Sequence, residues 1–500
     1  MEAKKRKFKY KWKFKEMGQM PFSIDLDDIT VKESYADTTP GWEPDLSTQF
    51  TRNIKLNLPI ASAAMDTVTE ADMAIQMALH GGIGVIHKNL TSEEEAREVE
   101  KVKRFKSGFI TEPITVSPLT SIYEVEELRK TYGFGSFPVT EDGTPHGKLV
   151  GIITNKDYSI DKHGELLVKD RMNTDLVTER WGIDLEKAYD ELLEARRGKL
   201  LLVYDDDHLA AMVTRKDLEL RKEFPRAVKD KYDRLLVAAA VGGPGKDLDE
   251  RAEKLYEAGV DVFVIDTSQG CSSGVEYTIK RLKKLYDDVD VVGGNVSNGE
   301  CARKIEEWGA DAVKVGIGPG SICITRNVTG VGGRQLNAIY EVSRSVKEIP
   351  IIADGGVRNY PQILYAIGAG AHSVMSGYLF AGHDECPGYV RTIKTKDGGT
   401  KKVKLYRGMG SPEAMKEAIE KGGGSRYLDE NIVIHGEEKY VPYRGSVSRT
   451  LKELESYLKH SMKVFWGGAK SIEDVRKGEN EFEIDLEKIL SKGTEVYFVD

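Results

Sequence analysis

Residues 59–89 read PIASAAMDTVTEADMAIQMALHGGIGVIHKN. An apolar run (59–65) gives way to a helix-period stretch (71–80), a Gly81-Gly82 stop and a second apolar run (83–87). Short apolar runs separated by a helical segment are the pattern of a β-α-β unit, because parallel neighbours need a long crossover. No GxGxxG turn follows the first run, which speaks against an open, doubly wound sheet. Working outward, strand-like runs recur at 235–241, 260–266, 289–293, 312–316, 350–354 and 373–377. Helix-period segments at 93–104, 249–258, 276–286, 300–307, 336–346, 362–367 and 448–460 alternate with them. Eight strands and eight helices predict an α/β fold, a (β/α)8 TIM barrel with its site at the C-terminal strand ends.

The chain has 500 residues, a formal net charge of −8 and 40% apolar residues, enough for a large core. No apolar run reaches the ~18–20 residues of a membrane span, and no apolar signal core opens the chain. Four cysteines (Cys271, Cys301, Cys323, Cys386) are too few for a disulfide framework, so thiols in a reducing, cytoplasmic setting are expected. Mild acidity argues against a dedicated nucleic-acid binder. Residues 4–15, KKRKFKYKWKFK, depart from that average, with lysines alternating with Phe8, Tyr10, Trp12 and Phe14. Such a segment is either an arm for nucleic acid or, more commonly, a terminal strand that packs its aromatic face on the body.

Two stretches interrupt the alternation. They predict a barrel in two parts, 1–108 and 229–500, around an inserted domain at 109–228. The insert contains an internal repeat, each half reading strand, helix, strand, strand and ending in Thr-x-x-Asp: Thr154/Asp157 and Thr214/Asp217. That pair can reach a ribose beside a helix start that favours phosphate, and it is equally an ordinary helix cap. The second interruption, 381–447, is rich in charge and glycine, including Gly422, Gly423 and Gly424. It is expected to be a long loop acting as a lid over the barrel mouth.

Residues 314–326, KVGIGPGSICITR, carry the strongest chemical signal. Gly316, Gly318 and Gly320 free the backbone, so that Ser321 and nearby N–H groups can hold a phosphate. A lone cysteine is usually a small buried apolar residue. A glycine-rich tip at a barrel mouth offers Cys323 little core, so it is expected to be a nucleophile, and Cys271 and Cys301 to have no role. The other strand ends carry Asp66, His87, Asp266-Thr267-Ser268, Asn295, Asp354-Gly355-Gly356 and Ser376-Gly377. A barrel gathers these at one mouth, and the glycines beside them point to a phosphorylated substrate. Asp354 and Asp266 can each accept from the hydroxyls of a ribose.

With these residues in view, the chain resembles the IMP dehydrogenase/GMP reductase family over most of its length. The matching segments are SAAMDTVTEADMAI from Ser62, GGIGVIHKN from Gly81, GIGPGSICITR from Gly316, IIADGG from Ile351 and YRGMGSPEAM from Tyr406. The inserted repeat resembles paired CBS modules, which in many proteins bind adenine or guanine nucleotides. For an IMP dehydrogenase, the resemblance implies that Cys323 attacks C2 of IMP and hydride passes to NAD, leaving a thioimidate that water hydrolyses to XMP. Asp354 would hold the ribose. Met65, Ser321, Gly356, Gly377, Tyr406, Gly408, Met409 and Gly410 would surround the nucleotide, with His435 at the purine. Asp266, Thr267, Ser268, Asn295 and Gly316 would lie on the NAD side, and carbonyls of Gly318, Gly320 and Cys323 would help bind K+. Arg426 and Tyr427, with Thr325, would activate the hydrolytic water. Homotetramers, stacked into octamers, are implied too.

Three positions depart from the dehydrogenase pattern. His435-Gly436 stands where Glu-Gly or Gln-Gly is usual, and Gly377-Tyr378 where Gly-Ser or Gly-Gly is usual. His383 stands for a threonine, as in GMP reductases, which reduce GMP with NADPH. The Arg426-Tyr427 pair favours the dehydrogenase. A nucleotide-sensing or nucleic-acid-binding protein on an inactive barrel is the alternative from another class.

Overall fold

A computed structural model describes residues 11–19, 23–105, 110, 113–133, 135–196, 198–245, 247–421 and 434–484. The chain divides into two compact units, one of Met1–Arg104, Arg226–Val228 and Leu235–Asp500, the other of Phe105–Pro225 and Lys229–Arg234.

The first unit is built on β1 (Ile60–Ser62), β2 (Ile83–Ile86), β3 (Ala238–Val241), β4 (Val262–Ile265), β5 (Asp290–Val296), β6 (Ala312–Val315), β7 (Ile351–Asp354) and β8 (Ser373–Ser376). They close into a parallel barrel in the order β3-β4-β5-β6-β7-β8-β1-β2, with β2 returning to β3. Six of the eight strands are buried from end to end, which is why they read as continuous apolar runs rather than alternating ones. Outside lie α1 (Ala71–Leu79), α2 (Ser92–Lys103), α3 (Leu248–Glu257), α4 (Ser273–Leu285), α5 (Gly299–Glu307), α6 (Gln335–Ser343), α7 (Tyr360–Gly368) and α8 (Val447–Val464). Side-chain caps start many of them at the strand-end loops: Thr91 and Glu94 form a capping box on α2, and Asn298 accepts from Cys301 N on α5. No helix among the described residues is long and apolar enough to cross a membrane.

Two expectations need correction. Residues 381–447 are not one long loop. They hold an antiparallel sheet of β9 (Arg391–Lys394), β10 (Thr400–Arg407) and β11 (Glu438–Pro442), with a helix, Pro412–Glu420, between β10 and β11. The glycines at 422–424 lie outside the described residues. Cys271, on the loop after β4, and Cys301, in the first turn of α5, form a disulfide with Cα atoms 5.3 Å apart, so they are not thiols. Barrel closure sets neighbouring strand-end loops side by side, a proximity that a separation of 30 residues hides. The basic segment is, in its described part, the expected terminal strand with its aromatic side packed on the body. Lys11–Lys13 pairs antiparallel with Glu481–Ile484, which also pairs with Ile29–Val31. Trp12 and Phe14 are buried, and Lys15 Nζ meets Glu479 at 2.6 Å. Residues 4–10 lie outside the described residues.

In the second unit, each half contains a helix followed by an antiparallel strand pair. The first half has Ile122–Tyr132 with Ser136–Thr140 and Leu149–Thr154; the second has Leu185–Glu194 with Lys199–Val203 and Leu209–Thr214. A parallel partner flanks each pair, Val116 against Val139 and Thr178–Arg180 against 201–203. Each half has its own apolar core, around Phe137 and Ile153 in one and Leu202 and Val213 in the other.

Candidate active site

The strand ends of the barrel surround a cavity of about 210 Å3. Its floor comes from β5, β6 and β7. The ladder between β5 and β6 shifts register between Gly294 and Val296, leaving Asn295 as a bulge. A bulge re-aims a side chain, and here the Asn295 amide donates to Gly316 O at 2.7 Å and to Asp354 Oδ2 at 2.8 Å. Its Oδ1 is buried without a partner among the described residues. Lys314, on β6 and only 3% exposed, donates to the same Asp354 oxygen at 2.9 Å and lies 3.6 Å from Asp266 Oδ1. Burial pulls the Lys314 ammonium down, and the carboxylates of Asp354 and Asp266 more than offset it, so it titrates above the usual lysine range.

The loop after β6 forms one wall. Gly316 has φ +149°, and a Cβ there would lie 2.0 Å from Asp354 O, so no other residue fits. Cys323 is half-buried at the cavity, with Sγ 3.1 Å from Thr325 Oγ1, and Thr325 Oγ1 lies 3.4 Å from His435 Nδ1. Residues 435–437 hold this loop: Ile324 N donates to His435 O at 3.0 Å and Glu437 N to Ile322 O at 2.9 Å. A second wall, packed against that loop, is Tyr406 and the 408–410 turn at the end of β10. Burial pushes the Tyr406 phenol up to about 12. The Ser321 hydroxyl lies beside it without the geometry of a full hydrogen bond.

That wall is anchored to β1 by charge. Arg407 donates to Asp66 through Nη2 at 2.7 Å and Nε at 3.1 Å, and to Glu417 at 2.5 Å. Asn89 donates to Asp66 from the end of β2 at 2.8 Å. His383, by contrast, is a packed histidine, fully buried between Phe380 O and Thr450 Oγ1, each at 2.7 Å. Tyr378 sets its ring against Tyr406, centroids 6.3 Å apart, under the Arg444 guanidinium.

The fold therefore brings together Met65, Asp266, Thr267, Ser268, Asn295, Gly316, Gly318, Gly320, Cys323, Thr325, Asp354, Gly377, Tyr406, Gly408, Met409, Gly410 and His435. Gly356 and Ser321 are not among the lining residues, whereas Gly355 is. Arg426 and Tyr427 lie outside the described residues. Thr154 and Asp157 belong to the second unit, where Asp157 accepts from the Thr154 hydroxyl at 2.7 Å and the Thr154 backbone N–H at 2.6 Å. Thr214 ends a strand there, and Asp217 lies on the helix that follows. Lys314 was missed by sequence reading, although a lysine inside an apolar barrel strand is itself a signal. Among the described residues no cluster of His, Cys, Asp and Glu could hold a metal ion. The carbonyls of Gly318 and Gly320 accept from Arg326 Nε at 3.0 Å and Cys323 N at 3.1 Å, and each keeps a second lone pair.

Comparison with known proteins agrees with this geometry. The family model described as IMP dehydrogenase / GMP reductase domain matches residues 23–494. Inosine-5'-monophosphate dehydrogenases of Staphylococcus haemolyticus (strain JCSC1435) and Staphylococcus aureus (strain COL) are each 43% identical over 440 residues, covering 86% of this chain and 88% of theirs. A solved GMP reductase variant from Trypanosoma brucei, in complex with guanosine 5'-monophosphate, superposes with a TM-score of 0.81 at 33% identity, covering 97% of this chain and 100% of that one. The same organism's GMP reductase in complex with guanosine 5'-triphosphate gives 0.72 at 31% identity, over 94% and 99%. The chain belongs to the IMP dehydrogenase/GMP reductase family.

Proposed function

We propose that this chain oxidises IMP to XMP with NAD through a covalent bond to Cys323. The observation that carries the reading is a half-buried thiol on the cavity wall, with the Thr325 hydroxyl at its sulfur and Asp354 among the lining residues. Cys323 Sγ attacks C2 of the purine; the C2 hydrogen leaves as hydride, and the resulting thioimidate is hydrolysed. NAD supplies the acceptor for that hydride. Asp354 orients the ribose hydroxyls. The Tyr406 phenol, which burial keeps protonated, donates to the phosphate with the backbone around Gly377. Asp266, Thr267, Ser268 and Asn295 receive the dinucleotide, and the free Asn295 Oδ1 is an acceptor aimed at a ligand. His435 replaces the usual acidic or amide side chain at the purine and holds Thr325, which orders the thiol. Arg426 and Tyr427 activate water for the hydrolysis, a task for which an arginine needs a special setting because its pKa is ~13.

The cation reading follows the same logic: carbonyls of Gly318, Gly320 and Cys323 hold K+. The repeated unit is a CBS pair that binds adenine or guanine nucleotides. The protein is a cytoplasmic homotetramer, stacking into octamers.

GMP reduction is the second reading, favoured by the solved neighbours and by His383. Absorbance at the nicotinamide band decides between them: IMP with NAD should produce NADH, while consumption of NADPH with GMP and no reaction with IMP would reverse the assignment. Arg426→Ala should keep a stopped-flow burst of NADH and lose steady turnover. Loss of the burst as well would remove the hydrolytic role.

A further inference from the structure

Lys314 is the one charged residue of β6, where Ala312, Val313 and Val315 are fully buried. A lysine here is out of keeping with packing alone, because burying an ammonium is costly unless it is paired. The barrel makes room for it: on the neighbouring strand, Gly294 pairs with Lys314, and a Cβ on Gly294 would come within 2.7 Å of the Lys314 Cβ. From that position Nζ reaches two carboxylates on either side of the cavity, Asp354 Oδ2 at 2.9 Å on β7 and Asp266 Oδ1 at 3.6 Å after β4. Asp354 Oδ2 is thereby used by both Lys314 and Asn295, and Asp354 is a lining residue of the cavity. Asp266 is also held from a third strand end, since Lys88 Nζ donates to its carbonyl and lies 3.8 Å from its carboxylate.

We infer that Lys314 is a positioning residue that couples the two halves of the site, fixing Asp354 for the nucleotide ribose and Asp266 for the dinucleotide with one shared ammonium. The inference rests on the proposed dehydrogenase reading. Lys314 itself lines the cavity, and its consequence is unusual for a single side chain: removing it disturbs recognition of both ligands. Without the ammonium, the two carboxylates lose the positive charge they share, leaving Asp354 to Asn295 and Asp266 to Lys88.

The test is a KM-against-kcat comparison of native protein, Lys314→Met and Lys314→Gln, with active sites counted from the NADH burst. Lys314→Met should raise KM for IMP and for NAD by about tenfold each, the usual loss for one charge-assisted hydrogen bond. The burst-normalised kcat should change less than threefold. Lys314→Gln, which keeps a donor to Asp354 and removes the charge, should shift both constants in the same direction by less. Both KM values within twofold of native overturn the inference, as does a change confined to one substrate. Failure of both neutral variants to fold overturns it too, since the ammonium is then a stability element. Native protein that makes no NADH from IMP and NAD would instead refute the dehydrogenase reading itself.

Discussion

Phe14→Ala separates the structural reading of the N-terminal segment from a binding-arm reading. The Phe14 ring is fully buried, 4.8 Å from Phe482 and 5.9 Å from Trp466 between ring centroids, and it lies against Gly368 at the end of α7. Truncating a buried phenylalanine costs about 3–5 kcal/mol through lost transfer energy and the cavity left behind. The strand it anchors pairs over three residues, Lys11↔Glu483, Trp12↔Phe482 and Lys13↔Glu481. Net hydrogen-bond contributions of roughly 1 kcal/mol each cannot hold that strand once the ring is gone. Amide hydrogen exchange at 11–13 and 481–484 should therefore accelerate on the order of 10^2- to 10^3-fold, local opening being set by the lost free energy. Turnover should stay within twofold of native, because the segment packs on the ends of helices remote from the strand-end mouth. Unchanged exchange would refute the anchoring argument, and native exchange combined with lost RNA binding would favour the arm.

Two further outcomes follow from buried groups. The Cys271–Cys301 disulfide spans a sequence separation of 30 residues, and loop entropy assigns it roughly 3–4 kcal/mol. Reductant should lower the denaturation midpoint of native protein and leave Cys301→Ser unaffected; equal native midpoints with and without reductant would contradict this. Burial pulls His80 down to about 4 and His372 down to about 3. Both folded values lie below the unfolded ~6.5, so their contribution is complete above that pH and is lost as pH falls toward the folded values. The loss is about 2 kcal/mol per histidine by pH 5. Urea unfolding at pH 7 and pH 5 should show it, and His80→Asn should flatten the slope; a slope unaltered by that change would refute the assignment.

The barrel was legible because strands buried on both faces must be apolar throughout, so runs such as 262–265 and 351–353 stand out from polar surroundings. The mouth was legible for a related reason: Gly316, Gly355 and Gly377 allow backbone to approach a ligand, and polar residues beside them face one space. Lys314 was hidden inside an apolar run, since one-dimensional reading does not show which way a strand residue points in a closed barrel. The sheet of β9, β10 and β11 was read as loop because TKKVKLYR opens on three exposed polar residues and its hairpin turns on Gly398 and Gly399. The disulfide needed three-dimensional proximity between successive strand-end loops. Trp12 and Phe14 were correctly placed on one face by their period-two spacing, while the partner strand at 481–484 lay too far along the chain to be anticipated.

Trapping the adduct on Cys323 tests the central chemical claim most directly. Native protein incubated with IMP and NAD, quenched in acid and digested, should yield the Cys323 peptide heavier by IMP less two hydrogens. Arg426→Ala should accumulate more of that species than native protein. NADH formed while the Cys323 peptide remains unmodified, with Cys323→Ser turning over at the native rate, would contradict the account.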